Sequence, residues 1–189
     1  MTRFPVHECA SSCAITTEDF EAHLEAALPG TLAKVDARTW LDGEGLPPNA
    51  VTLVSTRLTA IEALAGTVPP RDMAAAWGAT EWSLFLETVP RPAPEATLRA
   101  LDDQYALTAS TNYDVLVAWL TLALKSGYRA VIPRVAQVVA EVGRMKYLRP
   151  LYTALAADPA TRDQAIALFA KHRAAYHPIA RSMVEGVLR

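Results

Sequence analysis

Cysteine occurs only twice among the 189 residues, as Cys9 and Cys13, and both stand in the first segment, so no disulfide framework can hold this fold together. Burial must do it. A long apolar run is missing too. The nearest candidate, residues 115–124 (VLVAWLTLAL), is about half of what a bilayer crossing needs and stops at Lys125, which suits a buried core helix. No membrane span is expected. An excess of positive charge is likewise absent: the net charge is -2, which gives no general attraction to nucleic acid or to an anionic membrane, so any anion recognition must be local. The N-terminus offers one arginine and then FPVHECASSCA, without the continuous apolar core of a secretory signal, and a cytoplasmic location is the default expectation. Sustained alternation of apolar and polar residues, the mark of a half-buried strand, is nowhere found.

What is present is helical spacing. Apolar residues recur as Phe20, Leu24, Ala27 and Leu28, then Val54, Leu58, Ile61 and Ala65, then Trp82, Phe85, Leu86 and Val89. The pattern continues through Leu98, Leu101 and Tyr105, through Val131 to Val142, through Leu148, Leu151, Tyr152 and Leu155, and ends with Ile179, Met183, Val184, Val187 and Leu188. This predicts an all-α chain. The hydrophobic content of 51% and the length suit one well-buried core, so one compact unit is the starting expectation.

Punctuation falls between the stripes. Thr16 and Thr17 precede acidic residues before Phe20, Thr111 stands three before Asp114 as in a capping box, and Asp158-Pro159 places a cap ahead of a proline at the first helical position. Breaks follow at LDGEGLPPN (41–49), VPPRD (68–72), VPRPAPE (89–95) and His177-Pro178. About nine or ten helices joined by short links result. They would pack most simply as antiparallel neighbours, in a bundle or in two curved layers. Residues 112–126 are apolar almost all round, which predicts a helix at the centre of the core.

One stretch stands apart. In GRMKYLRPL (143–151), Arg144, Lys146 and Arg149 crowd a few positions of a chain with only 20% charged residues. Gly143 follows the last apolar position of one stripe, where a left-handed C-cap is expected. Pro150 is expected in the first turn of the next helix, which would then begin near Leu148 or Arg149 and leave Arg144 and Lys146 on the turn between. A helix N-terminus beside two cations suits a carboxylate or phosphate. Solvated charges complementing a helix end would look the same, and spacing alone leaves both readings open.

The residues also carry a resemblance. GRMKYLRPLY resembles the GRMKF-x-RPL stretch of the C-terminal helical domain of leukotriene A4 hydrolase and its relatives, aminopeptidase B and bacterial aminopeptidases of the M1 zinc family. Similar runs stand in the same order: TTEDFEAHL (16–24), WLDGEGLPP (40–48), LDDQYALTASTNYDVLVAWL (101–120), IPRVAQVVAEVGRMKYLRPLY (132–152) and YHPIARSMV (176–184). The resemblance implies a domain over 16–189, with 1–15 unassigned, folded as a two-layered antiparallel helical superhelix of armadillo or HEAT type. It also implies packing against a zinc peptidase domain, in cis or in trans, and closure of one side of that domain's cleft. Arg144 and Lys146 would then hold the free carboxylate of a short peptide substrate, with Arg149 left structural.

The resemblance has a limit. The family's hydrolysis needs zinc on an HExxH helix, and this chain contains neither that element nor the GxMEN stretch that binds a peptide's amino terminus. Its only His-Glu pair is His7-Glu8, and His7, Cys9, Cys13 and His23 match no zinc signature in their spacing. No cofactor is therefore expected in this chain, zinc being expected in the parent's catalytic domain. His172 and His177 read as structural, without a nucleophile and acid arranged around them. The other reading is a stand-alone helical scaffold that binds a protein partner.

Overall fold

The computed structural model of the chain describes residues 15–51 and 53–189. Among them every regular element is a helix, as the periodicity predicts. They fall into two compact units, one ending at Val54 and one spanning Ser55–Arg189, where the sequence reads as a single unit.

The first unit holds α1 (Thr17–Ala27), α2 (Thr31–Lys34) and α3 (Ala37–Asp42). Thr16, one of the two threonines expected ahead of this helix, starts α1 with a capping box: its hydroxyl accepts the Asp19 N–H at 3.2 Å, and the Asp19 carboxylate accepts the Thr16 N–H at 3.1 Å. The apolar stripe of this helix does not face a core. Phe20 is 50% exposed and Leu28 56%, while the buried position is Glu21, paired with Arg38 of α3. Three short helices offer too little surface to cover the stripe, which is the general difficulty of very small units.

The second unit contains α4 (Thr56–Glu62), α5 (Arg71–Ala74), α6 (Ala79–Thr88), α7 (Glu95–Tyr105), α8 (Tyr113–Lys125), α9 (Ile132–Glu141), α10 (Met145–Ala157), α11 (Pro159–His172) and α12 (Pro178–Leu188). The total among the described residues exceeds the expected nine or ten because α2, α3 and α5 are less than two turns long and carry too little periodicity to read. Packing runs from helix to helix: α4 on α6, α6 on α8, α8 on α10, and α10 on both α11 and α12.

The apolar helix lies at the centre, as expected. Leu116, Trp119, Leu120 and Leu122 of α8 are fully buried, and each leucine contributes roughly 1.5–3 kcal/mol by leaving water. The Trp119 indole N–H donates to the Thr108 hydroxyl at 2.9 Å, and that hydroxyl donates to Asp102 at 2.7 Å, so the one polar atom of the largest core residue is satisfied. The cap of α8 is Asn112 rather than Thr111. The Asn112 side-chain oxygen accepts from the Asp114 N–H at 3.0 Å, a role its short amide fills as well as a hydroxyl would. Asp158 caps α11 through the Ala160 N–H at 2.9 Å, with Pro159 at the first helical position, as the dipeptide predicts.

Candidate functional site: the start of α10

The α9–α10 junction departs from the sequence expectation in three respects. Gly143 is not left-handed, since the residues of positive φ are others and α9 ends at an extended Val142. Its last turn is instead closed from a distance: the Tyr176 hydroxyl donates to the Val139 carbonyl at 2.6 Å, removing one of the unpaired carbonyls every helix end leaves. Next, α10 begins at Met145 with Arg144 as its N-cap, earlier than Pro150 suggests. The Arg144 carbonyl accepts the Tyr147 and Leu148 N–H groups at 3.0 and 3.1 Å, which starts the helix ahead of the proline. Pro150 therefore lies inside α10, and Arg149 in its second turn. Complete burial of Leu148, Leu151 and Tyr152 outweighs the hydrogen bond the proline cannot make.

Arg144 and Lys146 accordingly stand at the cap and in the first turn of one helix, both exposed. The Tyr147 ring lies close to both: its centroid is 5.5 Å from the Arg144 guanidinium carbon and 5.6 Å from the Lys146 ammonium, within the range of cation–π attraction. Lys146 Nζ donates to Asp114 Oδ1 of α8 at 2.6 Å, and the Tyr147 hydroxyl donates to the same oxygen at 3.1 Å. The Lys146 hydrogen bond, then that of Tyr147, hold the Asp114 carboxyl below the usual carboxylate range, with the Arg144 charge adding to the effect. Tyr113, whose ring lies 5.9 Å from that of Tyr147, donates its hydroxyl to Glu141 at 2.6 Å, and this bond raises the Tyr113 pKa. Among the described residues no ion pair engages Arg144, whereas Lys146 is half-committed to Asp114.

Beside Lys146 a cleft of about 530 Å³ opens between α6, α8 and α10. Asp114, Glu87, Arg91, Thr121 and Lys146 line it over an apolar floor that includes Leu84 and Val117. Arg91 is turned away, donating to the carbonyls of Leu86 and Glu87 at 3.0 and 3.1 Å. The Thr121 hydroxyl is buried with no hydrogen-bond partner.

Asp114 and Tyr147 are the neighbours of the two cations that sequence reasoning passes over. Asp114 is read only as part of a cap, and its contact with Lys146 spans 32 residues, a separation no periodicity reports. Of the other candidates, His177 is structural as expected, its Nδ1 accepting the Ile179 N–H at 3.3 Å to cap α12. His7, Cys9 and Cys13 lie outside the described residues. Among the described residues no three His, Cys, Asp or Glu side chains gather in a way that could hold a metal ion. Nor is any described helix long and apolar enough to cross a membrane.

Known proteins share sequence and fold with this chain. The leucine aminopeptidase 2 of Ajellomyces capsulatus is 32% identical over 93% of this chain, which corresponds to 29% of that protein. The leukotriene A-4 hydrolase of Xenopus laevis is 27% identical over 90% of this chain and 30% of its own length. A solved structure of yeast leukotriene A4 hydrolase in complex with bestatin superposes with a TM-score of 0.75 at 25% identity, covering 92% of this chain and 33% of that one. The chain thus spans about a third of the relatives it matches. Residues 77–188, which include α8, the GRMK turn and the whole of α10, match the profile described as leukotriene A4 hydrolase, C-terminal. The chain belongs to that family of C-terminal helical domains.

Proposed function

We propose that the chain is the non-catalytic C-terminal part of a cytoplasmic M1 zinc aminopeptidase, where it closes one side of the cleft. In this reading Arg144 and Lys146 hold the C-terminal carboxylate of a short peptide while its first bond is cut on the catalytic domain. The observation that carries the reading is the pair itself: two exposed cations at the start of one helix, one of them without an ion-pair partner among the described residues. A guanidinium presents parallel N–H donors to a carboxylate, and each charge-assisted bond contributes about 1.5–3 kcal/mol. Fixing the far end of the substrate restricts where its scissile bond lies, which is a contribution to rate through positioning.

Zinc would supply the activated water and the polarised carbonyl, but the ligand set for it does not fit this chain, which lacks HExxH. No hydrolytic step belongs to these residues. Large apolar side chains in the first unit support a docking partner: Phe20, Leu28 and Trp40 are about half exposed, and Leu46, Leu53 and Val54 more than 80%.

In the full-length enzyme carrying this chain, Arg144→Ala should lower kcat/KM for tripeptides by about tenfold to a hundredfold, the equivalent of one charge-assisted bond. Zinc content should not change, and a substrate amidated at its C-terminus should show no difference between the two enzymes. Unaltered tripeptide kinetics would defeat the anchor. A second reading, a helical scaffold binding a protein partner in trans, draws on the same exposed apolar residues. It predicts a native product of 20.5 kDa on an immunoblot of the source cells, against a much larger band for the aminopeptidase.

A further inference from the structure

The charges at the start of α10 are not two but three. Lys146 and Arg144 are cations, and Asp114, 2.6 Å from the Lys146 ammonium, is an anion kept ionised by the two hydrogen bonds it accepts. These three groups sum to one positive charge, which matches one carboxylate. The aspartate is also placed where a substrate would meet it. Both Asp114 and Lys146 line the cleft beside α10, together with the carboxylate-bearing Glu87, and the one arginine in its wall is spent on backbone carbonyls. The side chain of a peptide's last residue is attached one carbon away from the terminal carboxylate, so a carboxylate held by Arg144 and Lys146 brings that side chain to within a few ångströms of Asp114.

We propose that Asp114 is a specificity-determining residue: by offsetting one of the two cations, it fits the site to peptide ends that carry a single negative charge and selects against C-terminal aspartate or glutamate. The inference rests on the anchor reading above. A second substrate carboxylate in the cleft would face Asp114 and Glu87, with the lining Arg91 engaged by carbonyls and Lys146 by the terminal carboxylate. At separations of about 5–6 Å and an effective dielectric between those of protein surface and water, the like-charge repulsion is on the order of tenfold in affinity. Neutral side chains escape it, and their contact with Leu84 and Val117 on the cleft floor is unaffected.

The test compares kcat/KM for trialanine and for the tripeptide ending in aspartate, in the full-length enzyme and in its Asp114→Asn, Asp114→Glu, Lys146→Ala and Arg144→Ala forms. The unaltered enzyme should favour trialanine by on the order of tenfold. Asp114→Asn should narrow that ratio several-fold, mainly through KM for the acidic peptide, and Asp114→Glu should restore it. Absence of a preference in the unaltered enzyme would overturn the proposal, as would an unchanged ratio in Asp114→Asn when Arg144→Ala weakens both peptides. If Arg144→Ala and Lys146→Ala leave both peptides unaffected, it is the anchor itself that fails. The pair is exposed enough for Asp114→Asn to cost little stability, and a melting curve checks that the variant is folded.

Discussion

The hydroxyl of Tyr176 lies 2.6 Å from the carbonyl oxygen of Val139 and 3.0 Å from the hydroxyl of Tyr152, a buried chain that ties the end of α9 to α10 and to the segment entering α12. Because Tyr176 gives its proton to the carbonyl, Tyr152 must donate to Tyr176.

Removal of the middle member should therefore cost more than one hydrogen bond's net worth. Tyr176→Phe leaves the Val139 carbonyl and the Tyr152 hydroxyl without partners inside the fold, and a loss of about 1–3 kcal/mol is expected in urea denaturation. A loss below about 0.5 kcal/mol would mean that water replaces both contacts.

The same pair makes the fold sensitive to alkali. Burial, then the bond to Tyr176, raise the Tyr152 pKa well above the tyrosine range, and burial raises that of Tyr176 against an opposing pull from the Tyr152 bond. Both pKa values are higher in the folded than in the unfolded chain. The stability they contribute is thus fully present below about pH 10 and is lost progressively as pH rises beyond it. Phenolate absorbance should show part of the tyrosine titrating only as helicity disappears; complete ionisation with helicity intact would contradict this.

Two glycines should differ in their tolerance of alanine. A Cβ on Gly143 would meet nothing nearer than the Ala175 carbonyl oxygen at 3.8 Å, and without a positive φ the change should stay within about 0.5 kcal/mol. Gly66 has a φ of 79°, and a Cβ there would lie 2.5 Å from Pro90 Cδ and 3.0 Å from Val89 Cα. Gly66→Ala should cost more than about 1 kcal/mol. Parallel thermal melts decide it, and a destabilised Gly143→Ala would restore the left-handed cap.

Arginine and lysine should not be interchangeable at the cap of α10. Arg144→Lys keeps the charge but loses the forked donors, so on the proposed anchor reading kcat/KM of the full-length enzyme for tripeptides should fall by about tenfold. Lys146→Arg should have a smaller effect, because that position acts as a charge already shared with Asp114. Equal losses at both positions would show that charge alone matters.

What could be read in advance follows from how far each signal reaches along the chain. The apolar run of α8 and the Asp158-Pro159 start of α11 are local, and both appear where the residues place them. The start of α10 misleads because the local rule for Pro150 meets a helix held by the buried Leu148, Leu151 and Tyr152. Gly143 misleads because a tyrosine 33 positions further on does the work expected of a cap, as the Tyr176 contact with Val139 demonstrates. Phe20 and Leu28 have the spacing of a core face without enough neighbouring surface to become one. The resemblance singles out the two cations, whereas nothing local points to the contact of Asp114 with Lys146, because only tertiary packing brings α8 against α10.

The helix that presents Arg144 and Lys146 is also the one on which α8, α11 and α12 converge. With 13 residues it acts as a lever about 20 Å long. A tilt of only about 3° at its far end would swing the first turn by about 1 Å, a displacement of the size that costs an enzyme on the order of a hundredfold in rate. On the anchor reading, a conservative swap near the buried Leu155 would then pass as a binding-site lesion in kinetics while both cations remain untouched.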